Sequence, residues 1–173
     1  MLGLRFDGKD GLAELILDIM DRNLYERAND CRWWAITPDF RAILEEEKPD
    51  IFAREKMNNI LTYINNLYTV YTNLFIYDRN GVVISVSQPE CEHLIGKKLL
   101  NEWVKSTLSL TDTSKYFVSN FEKSPMYKDK YTYIYNASIK SLSDEEKVIG
   151  GIGIVFDSEQ QFEAMIEESL PKN

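Results

Sequence analysis

The run Lys147-Val148-Ile149-Gly150-Gly151-Ile152-Gly153-Ile154-Val155-Phe156-Asp157 decides how the rest of the chain is read. Its apolar core, Val148 to Phe156, is too short for a helix that spans a membrane. β-Branched residues fill most of its non-glycine positions, which favours a buried strand. Gly150, Gly151 and Gly153 weaken a strand unless another backbone or a ligand approaches closely, or a bulge is needed. Asp157 ends the run, and Ser158 is an N-cap candidate. Beyond it Phe162, Met165, Ile166 and Leu170 recur at helical spacing, so a central strand leads into a C-terminal helix over Glu159 to Leu170.

Working backwards, charged residues fill the turn Leu142 to Glu146. Two strand candidates precede it, Tyr116 to Glu122 and Lys130 to Lys140, joined by a loop holding Ser124-Pro125-Met126-Tyr127. Lys97 to Leu108 has the spacing of a helix, with Leu99, Leu100, Trp103 and Val104 inward. Gln88 to Gly96 is a loop. Thr72 to Asp78 and Val82 to Ser87 form a hairpin around Asp78-Arg79-Asn80-Gly81, where Asn-Gly supplies the positive φ of a tight turn. A helix starting at Pro49 carries Ala53, Met57, Ile60, Ile64, Leu67 and Tyr71 as its stripe. Asp39 to Glu47 is a short helix whose acidic end, Glu45-Glu46-Glu47, faces solvent.

The first element is a long helix, Asp10 to Ile36, which Thr37-Pro38 stops. Ala13, Leu17, Met20, Leu24, Ala28, Cys31 and Ala35 form one apolar face. Leu12, Ile16 and Ile19 form a second edge, which suits either deep burial or a homodimer through this helix. The expected architecture is α+β: about five antiparallel strands with a long N-terminal helix and further helices on the sheet faces. It divides into a helical part (10–70), the sheet with an inserted helix (71–157) and a C-terminal helix (158–170), in one domain over 10–170.

Length and composition agree with one domain. The 173 residues suffice for a proper core, and 44% hydrophobic with 12% aromatic residues is globular composition. A net charge of −8 repels phosphate backbones, so no nucleic-acid partner is expected. Met1 to Asp10 lacks the pattern of a secretion signal, and no transmembrane segment is expected. Two cysteines, Cys31 and Cys91, do not make a disulfide scaffold. His93 with Cys91 falls short of a zinc ligand set, so no metal and no cofactor is expected. No nucleophile elbow, phosphate loop or dinucleotide fingerprint is present, and no paired carboxylates are legible, so an enzyme is not expected.

The order of elements and several motifs resemble those of Cache domains. Leu74-Phe75-Ile76-Tyr77-Asp78-Arg79-Asn80-Gly81-Val82-Val83-Ile84 is similar to their opening hairpin, and Leu94-Ile95-Gly96-Lys97-Lys98-Leu99 to the element after it. Tyr133-Ile134-Tyr135-Asn136-Ala137-Ser138-Ile139 followed by Val148 to Ile154 resembles their closing strand pair. Arg22-Asn23-Leu24-Tyr25-Glu26-Arg27 and the tail from Tyr131 resemble sensor regions of chemotaxis proteins. The resemblance implies a PAS-like, non-enzymatic ligand-sensing module of bacterial chemoreceptors and related signal-transduction proteins, with a downstream signalling domain as partner. It leaves the compartment open, because some such proteins are soluble and others are membrane receptors. It also implies a pocket on one sheet face, under the helix and loop before the third strand. Fold alone does not give the ligand.

The residues then have to supply the chemistry. Tyr131, Tyr133 and Tyr135 alternate along one strand and share a face, so they either wall a pocket with hydroxyl tips or form an ordinary sheet face. Asp157 either accepts hydrogen bonds from a ligand amine or complements the dipole of the helix it precedes. Arg32 beside Trp33 and Trp34 suits a carboxylate clamp, or core packing with a surface ion pair. Tyr116, Met126 and Tyr127 are lid candidates. The expected ligand is a small organic carboxylate, amino acid or amine. The alternative is a PAS-like dimerisation or protein-interaction module that binds no small ligand.

Overall fold

The computed structural model describes residues 8–172, with side chains from residue 11 onward except those of Leu12, Ile16 and Ser169. Helix α1 (Gly8–Ala35) is followed by α2 (Pro38–Glu45) and α3 (Ile51–Leu67). The hairpin β1 (Tyr71–Asp78) and β2 (Val83–Val86) comes next, then α4 (Glu102–Leu108). Strands β3 (Phe117–Val118), β4 (Glu122–Ser124), β5 (Lys130–Thr132), β6 (Ile134–Lys140) and β7 (Val148–Phe156) lead to helix α5 (Ser158–Ser169). The main sheet has five strands in the order β2-β1-β7-β6-β3, and the pairings that build it are antiparallel. The glycine-rich strand β7 is therefore the middle of the sheet, paired with β1 on one side and β6 on the other.

Pairing register explains the glycines. Tyr77 lies opposite Gly151 and Phe75 opposite Gly153. A Cβ at either glycine would enter the ring of its partner, and one at Gly150 would meet the Tyr77 carbonyl and Leu44. The missing side chains thus seat two aromatic rings flat on the central strand. Phe75, Tyr77, Ile134 and Val155 point to one face, where they pack with Trp103, Val104, Met126 and Tyr127. Leu74, Ile76, Tyr135, Ala137, Ile152 and Ile154 point to the other, against Cys31 and Trp34 of α1, Leu44 of α2 and Met57 and Leu61 of α3.

Several boundaries differ from the sequence reading, each for a local reason. The expected strand 116–122 divides at Ser119, whose hydroxyl accepts from the backbone N–H of Ile134 in place of a ladder partner. The expected strand 130–140 divides at Tyr133, and β4 pairs with β5 in a separate two-stranded sheet. The helix expected from Lys97 begins at Glu102, because Gly96 to Leu99 bonds back to Gly81 and Val83; Leu100 is exposed rather than inward. Asp50, not Pro49, starts α3, its carboxylate accepting from the Ala53 N–H at 2.8 Å. Leu67 at the other end of that helix is exposed. In the hairpin turn only Gly81 has positive φ, +78°, and the Asp78 carboxylate holds the turn through the N–H groups of Asn80 and Val82. Glu45 accepts from Ser141 and Leu142 instead of facing solvent, whereas Glu46 and Glu47 are exposed. Of the second apolar edge on α1, the Leu12 and Ile16 side chains lie outside those described, and Ile19 packs on the core. Among the described residues no helix is long and apolar enough to cross a membrane.

Candidate ligand site

A cavity of about 350 Å³ opens where β1 begins and β7 ends. Thr72 lines it from β1, Gln88, Glu90 and Cys91 from the 3-10 turn after β2, and Met126, Tyr127 and Lys128 from the turn after β4. Lys130, Asp157 and Glu159 complete it.

Thr72 is placed by a bulge. Tyr71 pairs with Phe156 and Asn73 with Val155, so Thr72 is the extra residue in β1. Bulges re-aim single side chains, and this one leaves the Thr72 hydroxyl buried with no hydrogen-bond partner. Buried hydroxyls are seldom left so, because an unmade hydrogen bond costs stability. Asp157 comes next. It is the N-cap of α5, yet its side chain caps nothing. Instead its carboxylate accepts from the Tyr127 hydroxyl at 2.6 Å, and that hydroxyl accepts in turn from the Glu159 N–H at 3.2 Å. Burial, then the Asp157 carboxylate, pushes the Tyr127 phenol up to about 12, so it is a protonated donor at neutral pH.

The segment Ser124 to Lys130, which holds the lid candidates Met126 and Tyr127, forms one wall of the cavity. Lys128 and Asp129 both hold positive φ, +53° and +58°, a conformation that non-glycine residues adopt at a cost and that clusters at ligand clamps. Lys128 pairs with Glu90 at 2.9 Å and Lys130 with Glu159 at 2.6 Å, tying this segment to both sides of the cavity. Behind the cavity lies a buried polar chain. The Gln88 side chain donates to Asn65 of α3, Ser87 bonds Asn65 and Asn73, and Asn73 reaches the Met126 carbonyl.

The residues singled out from sequence scatter. Tyr127 and Asp157 meet in this cavity, with Met126 beside them. Tyr135 is buried in the opposite face of the sheet, beside Phe156. Tyr133 faces the same side, near Met20 of α1 and Phe162 of α5, where the space left is about 20 Å³, room for little more than a water. Tyr131 is exposed on β5 and stacks with Phe121, so the expected wall of tyrosines is not a pocket wall. The side chains that do point beneath α4 are their alternates, Ile134 and Asn136; Asn136 accepts there from the Tyr77 hydroxyl. Arg32 donates to the Ser114 carbonyl at 2.7 Å and to Asn29, and lies over the Tyr116 ring. Trp33 is exposed, and Trp34 is core, edge-on to Tyr68 and Tyr71. The Arg32 group lines a separate depression with Tyr68 and Thr113, so the structure does not join it to Asp157. Sequence reasoning did not find Thr72, Gln88, Glu90, Cys91, Lys128, Lys130 or Glu159. Only the double use of Asp157 as strand end and helix start hinted at where they gather.

No protein-family profile matches the sequence, and no curated protein matches it. Solved structures do match. The sensor domain of the Vibrio cholerae histidine kinase DctB superposes with a TM-score of 0.75 at 12% identity, over 95% of this chain and 58% of that one. The Escherichia coli DcuS sensor domain gives 0.58 at 16% identity, over 91% and 96%. The ligand-binding domain of the Campylobacter jejuni chemoreceptor Tlp3, in complex with L-norvaline, gives 0.64 at 19% identity, over 94% and 61%. The chain thus spans under two thirds of the DctB and Tlp3 domains and nearly all of DcuS. Its fold is that of Cache-type sensor domains.

Proposed function

We propose that this chain, with the fold of those sensor domains, is a non-enzymatic sensory domain of a bacterial signal-transduction protein, acting as one module over residues 10–170. It binds a small organic molecule in the cavity between Thr72 and Asp157. The observation that carries the reading is a cavity of about 350 Å³ whose wall holds the Asp157 carboxylate, which accepts from the Tyr127 hydroxyl and touches no cation among the described residues. Tlp3 supports the general reading, since a domain of the same fold is in complex with L-norvaline.

The signal would leave through α1 or α5 to a downstream domain. Of the two, α5 starts beside the cavity. The Asp157 carboxylate is one residue from the start of α5, and the Asn65–Ser87–Asn73 chain joins Met126 to α3. A ligand shifts two arrangements only by its affinity difference between them, and a tenfold preference supplies about 1.4 kcal/mol.

The test is a thermal-shift screen of the purified protein against amino acids, carboxylates, amines and purines. A compound that raises the midpoint in a saturable way supports the reading. A flat screen, with protein shown free of carried-over ligand, turns it to a ligand-free interaction module.

A further inference from the structure

We propose that Asp30 is a two-position switch. Its carboxylate is held either by the Tyr71 hydroxyl, which clamps α1 to the sheet, or by the Arg27 guanidinium, which lets the helix go. Only the link from this switch to the cavity rests on the sensor reading above.

Arg27 and Asp30 stand three residues apart on α1, close enough to pair along the helix. They do not complete that pair. The Arg27 Nε lies 3.9 Å from the Asp30 Oδ2, too far for a hydrogen bond, and is buried with no partner among the described residues. The same Oδ2 accepts instead from the hydroxyl of Tyr71, the first residue of β1. Arg27 is otherwise engaged. Its Nη2 bonds the exposed Glu26 at 2.8 Å, and its guanidinium lies 5.1 Å over the Tyr71 ring. Two donors thus face one oxygen, and the donor from the sheet holds it.

Each position has a cost. Clamped, α1 gains the Tyr71 bond but leaves a charged N–H buried and unmade. Released, it gives up that bond and closes an ion pair within one helix. One charge-assisted bond to the same oxygen is exchanged for another, so a small displacement of Tyr71 decides between them. Tyr71 sits where such a displacement arrives. Its carbonyl accepts from the Asn65 side chain at 2.7 Å, and the Asn65 oxygen accepts from Ser87 and from Gln88, which lines the cavity. Across the sheet it pairs with Phe156, the residue before Asp157. The structure has the clamped position, so a compound in the cavity shifts the switch toward release.

The experiment reads the Arg27 Nε–H signal by nuclear magnetic resonance in wild type and in Tyr71→Phe. Removing the hydroxyl leaves Asp30 to the arginine, so the proton should move downfield as it bonds the carboxylate. A second measurement is a double-mutant cycle of Arg27→Met with Asp30→Asn, read from urea unfolding. The Arg27–Asp30 coupling should contribute about tenfold more to the folding equilibrium in the Tyr71→Phe background than with the hydroxyl present. A purely structural cluster gives equal or smaller coupling once the hydroxyl is removed. That result, or an unmoved proton, overturns the inference. Neither arm needs a ligand, so failure there leaves the sensor reading standing. A compound that gives a saturable thermal shift, lost in Asp157→Asn, should move the wild-type proton toward its Tyr71→Phe position. Such a compound that leaves the proton unmoved overturns the inference as well.

Discussion

Thr72 and Tyr127 carry opposite hydroxyls, one buried without a partner and the other bonded twice. A buried hydroxyl without a partner lowers stability, so Thr72→Val should leave the protein equally stable or more stable by about 1 kcal/mol in urea unfolding. A clear loss would mean that the hydroxyl is bonded after all. Tyr127→Phe makes the opposite test. It removes a donor to a carboxylate and an acceptor for the α5 backbone, at a cost of about 2 kcal/mol. The same pair shows what a sequence conveys about a site. Asp157 was legible because a lone acid ends an apolar run just before a helical pattern. Tyr127 was legible only as a lid candidate. Thr72 was not legible, because a bulge places it and nothing in Val70-Tyr71-Thr72-Asn73 announces one. The tyrosines of β5 and β6 misled because alternation fixes a shared face but not which layer covers that face.

Strand β7 carries the clearest prediction among the elements. Gly151 and Gly153 lie under the rings of Tyr77 and Phe75. Gly153→Ala should cost about 1–3 kcal/mol through overpacking, and Phe75→Leu in the same chain should return part of that loss. A double-mutant cycle reads the coupling directly; additive losses would show that the ring and the glycine are not in contact. From sequence the three glycines pointed to a close approach without saying of what, and the register supplies the answer. Strand β7 itself was legible to the residue, as its nine-residue apolar run has one reading only. The breaks at Ser119 and Tyr133 were not legible, since a side-chain hydroxyl and a change of sheet partner cause them. The start of α4 was misplaced for a similar reason: Gly96 to Leu99 is extended by bonds to the hairpin, a long-range effect that helical spacing cannot show.

The whole molecule is a five-stranded sheet with helices α1, α2 and α3 on one face and α4 with Met126 and Tyr127 on the other, and its cavity sits at one end of that sheet. Its alkaline stability follows from how many phenols are buried. Burial raises the phenols of Tyr71 and Tyr77, and pushes those of Tyr127 and Tyr135 up to about 12. A phenol whose pKa is higher folded than unfolded contributes fully below the unfolded value, about 10, and loses that contribution as pH rises through the folded value. The buried thiols act the same way from a lower starting point, since burial pushes Cys31 from about 9 up to about 12 and also raises Cys91, so stability should hold to about pH 9 and fall above it, more steeply beyond about 10. Tyrosinate absorbance should show some of the 10 tyrosines titrating only as the protein unfolds. Full titration of all of them without unfolding would show that these rings are accessible. Function at this scale turns on where the ligand sits. The decisive measurement is calorimetric titration of the best compound from the screen into wild type, Asp157→Asn and Arg32→Ala side by side. At a hundred times its dissociation constant such a compound stabilises the native state by about 2.7 kcal/mol, so its binding is well within reach. Loss of binding in Asp157→Asn with Arg32→Ala unaffected is the result predicted by a cavity at the end of β7. Binding that persists in Asp157→Asn and disappears in Arg32→Ala would contradict it and place the ligand beside α1.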